Sequence, residues 1–547
     1  MKKIFFVLSL FSFSCIAQEM TNISKNIVVI GYQEKRLPDT LMKVWQHKDI
    51  IVDNIPGVSS EKAYKHILSN RKDGDTIIVA VIDSGVDIDH EDLKNQIWIN
   101  SKEIPNNGKD DDQNGYIDDI HGWNFLGNKE GENNHYARWE YVRILKNKGI
   151  LDKSGLKISS QEKDSIILQA AKFYKEAKNV LKEDKSYVSE QKLEYKNINE
   201  KLKDYFPNQE YSMEKLMTID TIKHPHLKVP VKKLYDFLRY DLTQEWLDYY
   251  EKSNDIIENY KLNHAYNDRK IVGDDVSDIN DKSYGNNDVK GDIKIESHGT
   301  IVSGLIGASR GNNIGIDGIA DKVKLMILRT VPEGDEYDKD IALAIRYAVD
   351  NGAKVINMSF GKFFSPQKHL VTKAIEYASK NDVLIVHAVG NDSENIDQYN
   401  FYPLDYVNNT EISKTFINVA ALNYKLNRKL PAYYSNYGKT NVDVFAPGHD
   451  LYTTSVNNTY ILERGTSVAA PVVSGVAAII RSQYPELKAA QVKKILMDSG
   501  NSYTMQVTIP GKKKSPKVPF SELSKSGKVV NLYNALLMAE QISKSKN

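Results

Sequence analysis

The chain has 547 residues, 41% hydrophobic, with 73 Lys and Arg against 72 Asp and Glu and a formal net charge of +1. That balance argues against a nucleic-acid binder, which needs a basic excess to neutralise phosphates. No run of about 20 apolar residues follows the N-terminus, which argues against an integral membrane protein, and the single cysteine, Cys15, excludes an intramolecular disulfide framework and a Cys-rich zinc site.

In chain order, Lys2 and Lys3 precede an apolar run from Ile4 to Phe13, the pattern of a secretory signal peptide. Small residues at Cys15 and Ala17 place cleavage after Ala17, so residues 1–17 leave and the mature chain is exported without cysteine. Acylation of Cys15 as a lipid anchor is the alternative, weakened by Ser12-Phe13-Ser14 ahead of it. Residues 18–41 form a short leader, too short to bury a core of its own. Strand candidates follow at Thr76–Ile82, Val323–Leu328, Lys354–Met358, Val383–Val389, Phe416–Leu422 and Val442–Phe445, several apolar almost throughout, as in a sheet covered on both faces. Helical patterns at Asp340–Asn351, Gln367–Ser379 and Lys488–Met497 alternate with them, which predicts an α/β fold with a mostly parallel central sheet covered by helices.

The middle of the chain has another texture. Residues 126–280 are polar and rich in Lys, Glu, Asn and Tyr, and read as a helical insertion between catalytic-domain segments 42–125 and 281–547. Ser159 with Glu162 makes a capping box. Ile166, Ala170, Phe173, Ala177 and Val180 then give one apolar seam, and Trp246, Tyr249, Ser253, Ile256 and Tyr260 a second, suited to an antiparallel helical hairpin. Lys223-His224-Pro225-His226 and Lys512-Lys513-Lys514 read as surface loops.

Three segments carry chemistry. The strand Val79–Ile82 ends in Asp83-Ser84-Gly85, and ligands of open parallel sheets bind beyond strand carboxyl ends. Ser297-His298-Gly299-Thr300 puts a histidine where a helix pattern begins, and the unperturbed pKa of that residue type suits general-base work. Gly465-Thr466-Ser467-Val468-Ala469-Ala470-Pro471 puts a serine at a helix start, where free N–H groups favour a developing anion. Taken singly, each also reads as an ordinary turn or cap.

Together, and in this order, the segments resemble the subtilisin-like serine proteases, the subtilase family. His387-Ala388-Val389-Gly390-Asn391, Val355 to Gly361, Tyr434 to Gly438 and Phe445-Ala446-Pro447-Gly448 resemble further family landmarks. The resemblance implies the family's three-layer fold and a secreted serine endopeptidase acting on polypeptides through an acyl-enzyme. It implies Ser467 as nucleophile, His298 as base, Asp83 as its orienting acid and Asn391 as oxyanion donor, with no cofactor in the chemistry. It gives Ser359, Phe360, Gly361 and Gly390 to substrate binding, and Tyr402-Pro403 resembles a family pair that tends to be cis. Ile301 and Val468 depart from the commonest wording at positions that hold no reacting atom. Intact catalytic positions weigh against a catalytically silent, partner-binding relative, and the absence of repeats weighs against an adhesin.

Residues 110–119, Asp-Asp-Asp-Gln-Asn-Gly-Tyr-Ile-Asp-Asp, put oxygen ligands at alternate positions with glycine sixth, the first part of an EF-hand-like loop. His121 stands where the bidentate Glu would be, so the full match fails. A structural Ca²⁺ is expected on Asp110, Asp112, Asn114 and Asp118 with the Tyr116 carbonyl, Asp119 as a substitute and Ile117 pointing inward as an anchor. A similar loop recurs in a branch of secreted bacterial subtilases. Asp83 and His298 stand 215 positions apart, much further than in compact relatives, which leaves two readings of the insertion: it limits or selects substrates by overhanging the cleft, or it is a solvated appendage with no catalytic effect. A full-size N-terminal inhibitory prodomain is not expected within residues 18–41.

Overall fold

Alternating burial organises the central sheet. In β1 (Ile77–Asp83), Val79 and Val81 face one hydrophobic core while Ala80 and Ile82 face a second. Successive side chains of a strand point to opposite faces, so a strand covered on both sides is apolar throughout. The computed structural model describes residues 36–72, 74–239, 242–407, 410–511 and 516–545. The signal-peptide and lipid-anchor readings on residues 1–17, most of the leader and Lys512–Lys514 lie outside the described residues.

The other strands of the main sheet are β2 (Gly122–Asn124), β3 (Val323–Arg329), β4 (Val355–Met358), β5 (Leu384–Ala388), β6 (Phe416–Leu422), β7 (Val444–Pro447), β8 (Asn501–Ser502) and β9 (Lys528–Val529). They lie in the order β8-β9-β7-β6-β5-β4-β1-β3-β2, parallel except for the β8–β9 pair. Helices α1 (His298–Gly307) and α4 (Thr466–Gln483) bury Ile301, Val302, Val472 and Val476 in the first core. Helices α2 (Asp338–Asp350) and α3 (Lys368–Lys380) bury Ile341, Ile345, Val371 and Ile375 in the second. The result is the expected three-layer α/β arrangement.

The chain divides into two compact units: residues 36–135 with 269–545, and Tyr136–Asp268. The second unit is narrower than the span 126–280 read from composition. The flanks belong to the α/β unit through specific bonds: Asn124 and Asn286 pair backbone to backbone, and Arg269 forms an ion pair with buried Asp340. The end of the leader also joins that unit, with Leu37 in its first core.

Within the second unit, the helix Ser165–Leu202 starts later than the capping box placed it. Asp164 caps it by accepting from the Ile166 and Ile167 N–H groups, and Ser159 closes a turn with Glu162. Its seam is also shifted: Ile167, Ala170, Ala171 and Leu181 are buried, whereas Ile166 and Val180 are exposed. Likewise Leu247 is buried and Tyr249 exposed on the helix Gln244–Ile256. Adjacent apolar residues offered two registers, and tertiary packing chose the other one. The two helices do run antiparallel, for Lys185 pairs with Asp255 and Glu258 while Lys192 pairs with Asp248 and Glu251. Tyr195, Leu202, Leu234, Phe237 and Leu247 share this unit's own core.

Candidate active site

Asp83 ends β1, and its carboxylate is buried at 1% exposure. Its Oδ1 meets His298 Nδ1 at 2.7 Å and accepts the Ser84 N–H at 2.8 Å. His298 is the first residue of α1 and keeps 39% of its side chain exposed. Burial works against its protonation, but the charge of Asp83, the hydrogen bond to it, Glu463 and Glu333 together outweigh that effect. The imidazole is held above its ordinary 6.5.

Two further bonds tie the Asp83 and His298 segments together. The Gly299 N–H donates to Ser84 Oγ at 3.0 Å, and the Asp87 N–H donates to Thr300 Oγ1 at 2.9 Å. A hairpin of Leu451–Ser455 and Thr459–Glu463 closes over the start of α1, where the Thr453 and Thr454 hydroxyls donate to the Ile301 and Thr300 carbonyls.

Ser467 is the second residue of α4, whose N-cap, Gly465, supplies no capping side chain. The first-turn N–H groups and the positive end of the helix dipole therefore face the site. Asn391 follows β5 and Gly390, and its Oδ1 accepts the Thr466 N–H at 2.8 Å and the Thr466 hydroxyl at 3.1 Å. With its oxygen fixed, Asn391 offers Nδ2. A methyl placed on Gly465 would stand 2.8 Å from Ser467 Oγ, 3.4 Å from Asn391 Nδ2 and 3.5 Å from the Ser467 nitrogen. The Ser467 hydroxyl oxygen, the Asn391 amide and the Ser467 N–H thus converge on one space that a side chain at Gly465 would fill.

Ser359, Phe360 and Gly361 continue from the carboxyl end of β4. The Ser359 hydroxyl faces the helix rather than the cleft: it donates to the Ser467 carbonyl at 2.8 Å and accepts from Asn357 Nδ2 at 2.9 Å. Any substrate contact of Ser359 therefore falls to its backbone. Gly361 and Gly390 both approach the Phe401 ring, and the Tyr402–Pro403 bond is cis. Beneath them His387 is buried, bonded to Asn418 Oδ1 and the Phe360 carbonyl, and burial outweighs those bonds to lower it to about 4.

The acidic loop is rearranged from its expected ligand set. Asp118 is not among the carboxylates gathered around Asp110 and Asp112; its own accepts the Asn107 and Gly108 N–H groups at 3.1 and 2.8 Å. Asn114 Oδ1 accepts the Tyr116 N–H, and its Nδ2 donates to Asp119. Asp119 is fully buried; Asn100 and Tyr347 also donate to it, and burial raises it to about 6. Ile117 is 47% exposed, and the anchor is instead the Tyr116 ring, packed edge-on against Trp123 and Tyr347. Asp110 and Asp112 meet a residue the loop pattern did not contain: Glu103 brings a carboxylate oxygen within 4.8 Å of theirs. Glu103 is buried, its Oε1 accepts the Asp112 N–H, and its Oε2 has no hydrogen-bond partner. It stands seven positions before Asp110, outside any local ligand spacing.

The sequence pattern of the subtilase family matches residues 74–515. Subtilisin DY of Bacillus licheniformis is 34% identical over 241 residues, 44% of this chain and 80% of that protein. A thermophilic serine proteinase of Bacillus sp. strain AK1 is 38% identical over 194 residues, 35% of this chain and 44% of that protein. A solved protease from Pseudoalteromonas arctica aligns over 44% of this chain and 70% of its own, at 29% identity and a TM-score of 0.36.

Proposed function

Because the chain belongs to the subtilase family of serine peptidases, we propose that it is an exported endopeptidase working through Asp83, His298 and Ser467. Ser467 Oγ attacks the scissile carbonyl while His298 Nε2 takes its proton. Asp83, bonded to Nδ1, fixes the tautomer and stabilises the imidazolium. Asn391 Nδ2 and the Ser467 N–H receive the developing oxyanion. His298 then returns the proton to the leaving amine, and water enters by the same route to hydrolyse the acyl-enzyme. The raised pKa of His298 suits this duty, since the imidazolium is the state that must form during attack.

The observation that carries this reading is the convergence of Ser467 Oγ, Asn391 Nδ2 and the Ser467 N–H beside Gly465, together with the His298–Asp83 bond. Cleavage-site profiling on a peptide library, run beside Ser467→Ala, tests it. Wild type is expected to cut internal bonds, and the variant to lose about a million-fold in turnover, a magnitude carried over from subtilisin. Equal cleavage by both proteins would reject the assignment.

For the acidic loop, the proposed ligands of a structural Ca²⁺ are Glu103, Asp110 and Asp112, with Asn114 and the Tyr116 carbonyl alongside. Hard oxygen donors suit Ca²⁺, and the unpartnered, buried Glu103 Oε2 fits a cation. When bound, the ion supplies loop stability and no chemistry. Export rests on the signal-peptide pattern of residues 1–17; among the described residues no helix is long and apolar enough to cross a membrane.

A further inference from the structure

One charged pair beside the catalytic segments is left unused by the reaction scheme. Arg329 ends β3, lies in register with Asp83 of β1 and Asn124 of β2, and is fully buried. Its Nε donates to Glu296 Oε2 at 2.7 Å and its Nη2 to Glu296 Oε1. Nη1 donates to Asn124 Oδ1 at 2.7 Å, and Nη2 also to the Asn134 carbonyl at 2.8 Å. Glu296 is 4% exposed. Its Oε1 meets His135 Nδ1 at 2.7 Å, and its Oε2 accepts the Gly85 N–H at 2.8 Å.

That last bond matters most. Gly85 stands two residues after Asp83, and Glu296 two residues before His298. The carboxylate therefore bridges the two segments whose spacing sets the Asp83–His298 bond. Two neutral bonds flank it, Gly299 N–H to Ser84 Oγ and Asp87 N–H to Thr300 Oγ1. Two glycines approach the pair where no side chain fits. A Cβ on Gly85 would lie 3.0 Å from Glu296 Oε2, and one on Gly291 would lie 2.8 Å from Arg329 Nε. A buried ion pair is a weak source of stability, because desolvation offsets most of the attraction. What it supplies here is a charge-assisted, directional tie.

We propose that Glu296 and Arg329 are a positioning pair, touching no substrate, that holds the Asp83 and His298 segments in register for proton transfer while cancelling each other's charge behind the His298 segment. This rests on the endopeptidase reading above. Asp83, Glu333 and Glu463 face His298, and Glu296, Arg329 and His135 stand behind its segment.

The test uses the full chain and reads the pH dependence of fluorophosphonate labelling, which reports His298-activated Ser467 without a peptide. Glu296→Gln keeps an acceptor for the Gly85 N–H but leaves the Arg329 charge uncompensated. An uncompensated cation disfavours the imidazolium, so the acid limb of labelling is expected about one pH unit lower than in wild type. On a fluorogenic peptide, kcat is expected to fall about ten-fold or more with KM within about three-fold. A folded Glu296→Gln protein with an unmoved limb overturns the proposal, whatever its Tm, since a merely structural role would lower Tm alone. Should that variant not fold, the charge-free Glu296→Gln/Arg329→Met protein decides. Its limb is expected at the wild-type position with kcat still down about ten-fold, and wild-type kcat and KM there would overturn the pairing. Wild-type protein that neither labels nor cleaves would be a failure of the peptidase reading, distinct from a failure of this pair.

Discussion

Gly465→Ala is expected to silence catalysis while leaving the fold nearly intact. The added methyl would stand 2.8 Å from Ser467 Oγ, 3.4 Å from Asn391 Nδ2 and 3.5 Å from the Ser467 nitrogen. It would fill the space that the proposed mechanism gives to the substrate oxygen between both donors. One lost oxyanion donor costs about 10²–10³ in kcat, or about 3–4 kcal/mol, in subtilisin. Two donors acting on one oxygen are not additive, so kcat/KM is expected to fall about 10³–10⁵-fold, or about 4–7 kcal/mol. The φ of +156° at Gly465 is rarely adopted by other residues and adds about 1–3 kcal/mol of strain. The contact on Ser467 Oγ is relieved by rotating that side chain, which withdraws the nucleophile. The assay is kcat/KM on a fluorogenic peptide, read beside a thermal melt. A folded variant within ten-fold of wild type would refute the convergence of these three groups.

Further outcomes follow from the charges and the loop. The acid limb of kcat/KM is expected above 6.5, because His298 is held up against its burial by Asp83, Glu463 and Glu333. Glu463→Gln removes one anion and should move the limb to lower pH in a rate profile. Calcium should raise Tm and a chelator lower it in wild type but not in Glu103→Gln; identical melts in both conditions would remove the ion from the account. His387 is neutral when folded, with burial lowering it to about 4. The unfolded chain takes up its proton first on acidification, so stability is lost as pH falls from about 6.5 to about 4, by roughly 3 kcal/mol. Denaturant melts of His387→Gln should be flatter over that window. Both cores of the α/β unit draw on residues outside 136–268. Replacing that span with a short linker should leave a folded protein that still cleaves short peptides, and an insoluble product would count against it.

The sheet was legible because its strands are covered on both faces. Phe416–Leu422 is apolar but for Asn418, and the strand occupies those residues. Strand ends moved by a residue or two elsewhere, as from Val442–Phe445 to Val444–Pro447, because ladder bonds rather than side chains set them. Ordered motifs singled out Asp83, His298, Asn391 and Ser467, since each sits at an element terminus with short-range wording around it. The seams of the second unit were misread where apolar residues are adjacent: Ile166 beside Ile167, Val180 beside Leu181, Trp246 beside Leu247. Glu103 and Glu296 were invisible, since each meets partners that no local spacing announces. Arg329 lies 33 positions from Glu296 and 205 from Asn124. The EF-hand-like loop makes Ile117 the expected inward anchor, but the larger Tyr116 ring, with three aromatic neighbours, takes the interior.

The central claim is that His298 activates Ser467 for nucleophilic attack, and covalent capture reads this most directly. Folded wild-type protein treated with a fluorophosphonate and digested for mass spectrometry should carry one adduct, on the peptide containing Ser467. The labelling rate should rise with pH through the His298 transition, and Ser467→Ala and His298→Ala should both stay unlabelled. Folded wild-type protein that remains unmodified under conditions that label subtilisin, or that carries its adduct on another serine, would contradict the account.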